Sequence, residues 1–67
     1  MADKIEISTY WSDDQTKKAV VYHIPSDGYE VDYFLNEAFI LSQKYDGRSL
    51  QYHEDAAENY VLGIKQV

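Results

Sequence analysis

The residues best suited to chemistry lie together near the end of the chain. His53, Glu54, Asp55, Glu58 and Asn59 all fall within HEDAAENY, residues 53–60. A histidine beside carboxylates can work as an acid/base pair, and His, Glu and Asp can share a divalent cation. The spacing opposes both uses. A zincin-type site needs histidines four residues apart around a glutamate, and position 57 is an alanine. His53 and Glu54 are adjacent, so a strand sends them to opposite faces and a helix sets them about 100° apart. A calcium loop requires alternating oxygen ligands around a central glycine, and this stretch has neither.

The same residues have a structural reading. Asp55 and Glu58, in DAAE, have the spacing of a capping box just before an apolar stripe. A helix is therefore expected from Ala56 to about Lys65, with Ala57, Tyr60, Val61 and Ile64 on one face. Glu54, Asp55 and Glu58 would then lie at the positive end of its dipole. Ala56 and Ala57 favour helix and permit close approach to a sheet. His53 and Asn59 have no structural role in this reading.

Elsewhere the candidates are weaker. His23 falls within a strand-like run, and Asp13 and Asp14 are adjacent acids in a polar turn. Ser8, Ser12, Ser26, Ser42 and Ser49 sit in no nucleophile elbow, and Gly28, Gly47 and Gly63 are too scattered to cradle phosphate. The reading is a non-enzymatic protein with no catalytic residue, no metal ligand and no cofactor.

The elements that would carry these residues form one domain, residues 1–67. In KIEISTYW, Ile5, Ile7, Thr9 and Trp11 alternate with Lys4, Glu6, Ser8 and Tyr10, which predicts a strand burying the first set. The polar SDDQT follows, then the β-rich KKAVVYHI, Lys17 to Ile24, so the two strands form an antiparallel hairpin. Pro25 ends the second strand. Asp27 and Glu30 resemble a cap, and Val31, Phe34, Leu35, Ala38 and Leu41 recur at helical steps, predicting a helix from Tyr29 to about Lys44. Gly47 would close it. Ser49 to His53 is read as a short third strand, with the first turn of the last helix as the other option. The expected fold class is α+β: a two-layer domain with a hairpin packed against two helices, in the order β-β-α-(β)-α.

On that first helix Tyr29, Tyr33 and Ile40 fall roughly 160–200° from Val31, opposite the core stripe. A helix apolar on two faces packs against a partner, so these three residues are the candidate interface. The chain is 67 residues long and has no cysteine, yet it holds one tryptophan, seven tyrosines and two phenylalanines. A domain this small gains from self-association, and a two-fold homodimer is the expected oligomer. Twelve acids against six bases give a formal charge of −6, which disfavours nucleic acid and would suit a basic partner. The alternative function is an acidic nucleic-acid mimic that blocks a nucleic-acid-binding protein. No run approaches the ~20 apolar residues that cross a membrane, and the absence of cysteine suits a cytoplasmic setting.

The segment EDAAENYVLGI, Glu54 to Ile64, resembles the C-terminal part of short proteins of marine cyanophage type. That resemblance implies a phage-like origin, a host-cell cytoplasm and a host or phage protein as partner. It brings no catalytic residue with it.

Overall fold

The computed structural model describes residues 4–25, 28–45 and 47–64. Four strands, β1 (Ile5–Trp11), β2 (Lys17–Ile24), β3 (Gly28–Leu35) and β4 (Ala38–Gln43), form an antiparallel sheet in sequential order. One helix, α1 (Leu50–Val61), lies across one face of that sheet against β2, β3 and β1. Among the described residues no helix lies on the other face.

The expected helix over Tyr29 to Lys44 is replaced by the β3–β4 hairpin. Tyr29, Val31, Tyr33 and Leu35 alternate with Glu30, Asp32 and Phe34, so the segment is two-sided at period two as well as at helical steps. The turn decides the outcome. Asn36 and Glu37 take φ values of 51° and 69°, the pair of left-handed conformations that a two-residue hairpin loop requires. Asn36 also donates its amide to the Thr16 carbonyl at 2.7 Å, tying this hairpin to the first one. The described residues therefore form four strands and one helix. The two-helix arrangement and the order β-β-α-(β)-α do not occur. Of the expected cap, Glu30 lies within β3 and Asp27 lies outside the described residues.

The single helix also starts earlier than expected. Ser49 is its N-cap and accepts a hydrogen bond from the Tyr52 amide at 3.3 Å, so residues 50–53 are helical and no strand forms there. Asp55 accepts from Gln51 Nε2 at 2.9 Å within the helix and caps nothing. No acid occupies the first turn, so the dipole role assigned to Glu54, Asp55 and Glu58 falls away. The buried stripe is His53, Ala56, Ala57, Tyr60 and Val61, stepping by three and one from turn to turn. Ile64 lies beyond the helix and is 72% exposed.

Between the two layers, Ala19, Val21, Val31 and Tyr33 of the sheet meet Ala57, Tyr60 and Val61 of the helix. Val21 and Val31 are cross-strand partners and fully buried, each contributing about 1.5–3 kcal/mol by removal from water. The Tyr33 and Tyr60 rings meet edge to face at 4.9 Å. Such a contact adds about 0.5–1.5 kcal/mol beyond area alone. Tyr60 donates its hydroxyl to the Phe34 carbonyl at 3.0 Å, fastening the helix to β3.

β1 presents its residues in the opposite sense to the one expected. Its register against β2 slips between Glu6 and Ser8, leaving Ile7 as an extra residue. A bulge of this kind reverses the alternation beyond it. Ser8 and Tyr10 consequently sit opposite Val21 and Ala19 on the helix side, while Thr9 and Trp11 turn to the helix-free side. Ile5, Ile7 and Trp11, expected to be buried, are exposed.

Candidate interaction face

The cross-strand register arranges the helix-free face in ranks. One rank runs Trp11, Lys18, Phe34, Phe39 across all four strands. The next runs Thr9, Val20, Asp32, Ser42, and a third runs Glu6, Tyr22, Glu30. A second bulge, at Ile40 on β4, is what brings Phe39 opposite Phe34.

The aromatic rank is tightly organised. The Lys18 ammonium lies 5.3 Å from the Trp11 ring centroid and 4.7 Å from that of Phe34. Phe34 and Phe39 meet edge to face at 5.7 Å. Lys18 thus bridges two rings, holding the rank as a continuous strip. Its ends face water: Trp11 is 51% exposed, Phe39 57% and neighbouring Ile40 39%. Large apolar groups gathered in this way mark interaction surfaces.

Beside the strip lies a polar group. Glu30 and Asp32 are both buried, and the Lys4 ammonium bonds to each of them. Ser42 donates to Asp32 Oδ1 at 2.8 Å, and the Tyr22 ring stands 5.2 Å from the Lys4 ammonium. Burial, with the hydrogen bond to Glu30, raises the Asp32 carboxyl above its ordinary value. Burial also acts to raise Glu30, but hydrogen bonds from Asp32 and Lys4 outweigh it and hold that carboxyl below its ordinary value. The Lys4 ammonium is raised, chiefly by its bond to Glu30.

Both edges of the sheet are blunted. The bulges at Ile7 and Ile40 lie in the two outer strands, where they disturb the ladder that an added strand would need.

The three residues expected at an interface are scattered. Tyr33 faces the helix and is 0% exposed, with its hydroxyl 2.8 Å from that of Tyr45, so it belongs to the core and is closed to a partner. Burial pushes its phenol far above the usual range, and the Tyr45 hydrogen bond adds to the effect. Tyr29 is half-buried on the helix side, against the rings of His23 and His53. Ile40 alone of the three adjoins the aromatic strip. Trp11 and Phe34, expected in the buried stripes of a strand and of a helix, lie instead on the helix-free face, and Lys18 and Phe39 were not assigned to an interface from sequence. The period-two pattern of residues 29–35 was the signal that could have exposed Phe34.

HEDAAENY contains no reactive arrangement. His53 is 1% exposed, and both ring nitrogens are engaged by backbone. Nδ1 stands 2.8 Å from the Ser49 carbonyl and Nε2 accepts the Tyr45 amide at 3.3 Å. A carbonyl can only accept and an amide only donate, so the ring is neutral with its proton on Nδ1. Glu54 is instead drawn to Ser8 at 2.9 Å, joining the helix to β1. Among the described residues no three His, Cys, Asp or Glu side chains converge as for a metal ion. An open cleft of about 310 Å³ beside Trp11, Asp13, Asp14, Lys17 and Leu62 offers no catalytic pair. Asp14 there accepts from Ser12 and from Thr16, which hold its carboxyl down at about 2. No helix among the described residues is long and apolar enough to cross a membrane.

Comparison with known protein families, curated proteins and solved structures finds no match to the chain.

Proposed function

We propose that the chain is a non-enzymatic protein–protein interaction module that self-associates through the helix-free face of its sheet. One observation carries the reading: the strip Trp11–Lys18–Phe34–Phe39 crosses the whole uncovered face and is more than half exposed at both ends. Tryptophan and phenylalanine are favoured at the centres of interfaces, where their large apolar area leaves water. The small core gives association a second advantage, since burying this face would stabilise the fold by mass action. The acidic-mimic reading has less support, because Asp14, Glu30, Asp32, Glu54 and Asp55 are occupied by internal hydrogen bonds rather than arrayed along one surface.

Sedimentation equilibrium over a dilution series tests the proposal. The wild type should show a concentration-dependent dimer, and Phe39→Lys should be monomeric with an unchanged far-ultraviolet spectrum. A wild type that stays monomeric at the highest concentration would sink self-association.

A further inference from the structure

We propose that His53 is an acid-released latch: at neutral pH its ring pins the Tyr45 backbone to α1, and a proton on Nε2 lets Tyr45 go. The latch is built from backbone groups on both sides of one buried imidazole. Nδ1 stands 2.8 Å from the Ser49 carbonyl, and Nε2 accepts the Tyr45 amide at 3.3 Å. A carbonyl cannot donate and an amide cannot accept, so only the neutral ring satisfies both. A second proton turns Nε2 into a donor facing a donor. The Ser49 bond survives that change, and the Tyr45 bond does not. The ring is 1% exposed, so water has no access to the new N–H while Tyr45 stays in place. Acid therefore favours a state in which the Tyr45 backbone has moved off the ring.

The surroundings do not hold a charge on the ring. Both nitrogens are taken by backbone, so no carboxylate is bonded there to stabilise a histidinium. The ring meets Tyr29 of β3, Tyr45 and Tyr52 of α1, all neutral phenols. Behind Tyr29 stands His23 of β2, with ring centroids 5.2 Å apart, and in acid it becomes a second cation. The Arg48 guanidinium lies 5.0 Å from the Tyr52 ring. Glu54, the next residue along the helix, is drawn to Ser8 at 2.9 Å.

The release is local. Tyr45 is also held through its hydroxyl, 2.8 Å from that of Tyr33 and 3.3 Å from Gln43 Oε1, and a phenol takes up no proton in mild acid. Val21 and Val31 of the sheet pack with Ala57, Tyr60 and Val61 without any group that titrates in this range. The helix stays on the sheet while the Tyr45 backbone opens.

Imidazole nitrogen chemical shifts of the full chain, followed from about pH 8 to about pH 4, show when Nε2 takes its proton. Amide exchange in the same samples, expressed as protection over the unstructured rate, reads the Tyr45 bond. The expected result is a fall of about three- to tenfold in Tyr45 protection, sharing the midpoint of Nε2 protonation, with Val21 and Val31 unchanged. His53→Gln sets an amide oxygen near the place of Nε2 and cannot titrate, so its Tyr45 protection should not change with pH. Proton uptake on Nε2 with Tyr45 protection unchanged would overturn the latch. So would an imidazole that stays neutral until Val21 and Val31 lose protection too. The same fall in His53→Gln would assign the release to another group, His23 first, and would equally overturn it. Should His53→Gln fail to fold by far-ultraviolet dichroism, the comparison of the two wild-type midpoints decides alone.

Discussion

Replacing His53 with phenylalanine isolates the polar role of a residue that looks catalytic in sequence. A flat ring is kept, one atom larger than imidazole, beside Tyr29, Tyr45 and Tyr52, whose centroids lie 5.5, 5.2 and 6.4 Å from that of His53. Two hydrogen bonds are lost, one to the Ser49 carbonyl and one from the Tyr45 amide. Each contributes about 0.5–1.5 kcal/mol net, so the pair accounts for about 1–3 kcal/mol. The Ser49 carbonyl also receives the His53 amide at 3.4 Å, which favours the lower half of that range. A domain of this size has roughly 3–5 kcal/mol to lose from. Urea unfolding followed by circular dichroism should show a lower midpoint with an unchanged slope. An unchanged midpoint would refute the assignment of His53 as the clamp between the β4–α1 connection and the helix.

Further perturbations bear on other parts of the molecule. Tyr33 has a phenol raised above the ordinary value of 10.0, so its contribution is fully present below that value and is lost as pH rises toward the folded-state value. Tyr10, Tyr22, Tyr60 and Lys4 are shifted in the same direction, and stability followed by near-ultraviolet dichroism should fall steeply above about pH 10. Tyr33→Phe should make that fall shallower while costing about 0.5–1.5 kcal/mol at neutral pH for the lost hydrogen bond to Tyr45. Glu37 holds φ at 69° without being glycine, so Glu37→Gly should stabilise by about 0.5–1 kcal/mol in thermal unfolding, the relief of strain exceeding the added chain entropy. Phe39→Lys removes a contact to Phe34 at an exposed site and should change monomer stability by no more than about 0.5 kcal/mol while abolishing the proposed self-association.

The first hairpin was legible because β-branched and aromatic residues alternate on either side of a short polar loop. The second was not, for a physical reason. Val31, Phe34, Leu35, Ala38 and Leu41 satisfy helical spacing, while the same stretch also satisfies strand spacing. Asn36–Glu37 is a poorer turn signal than Asn–Gly, since glutamate rarely takes a left-handed conformation. The helix stripe began unseen because its first member is His53, which does not read as apolar, and because Ser49 has no acid at position 52 to complete a capping box. The make-up of the helix-free face was obscured by its bulges. A single extra residue at Ile7 moves Trp11 from one side of the sheet to the other, and no local residue type announces it.

Amide and indole chemical shifts measured through a dilution series test most directly the claim that this chain works through its helix-free face. Shifts that vary with concentration at Trp11, Lys18, Val20, Phe34 and Phe39, and stay constant at Gln51, Asp55 and Glu58 on the outer side of α1, are the predicted result. Concentration-dependent shifts centred on α1, or none anywhere, would contradict it.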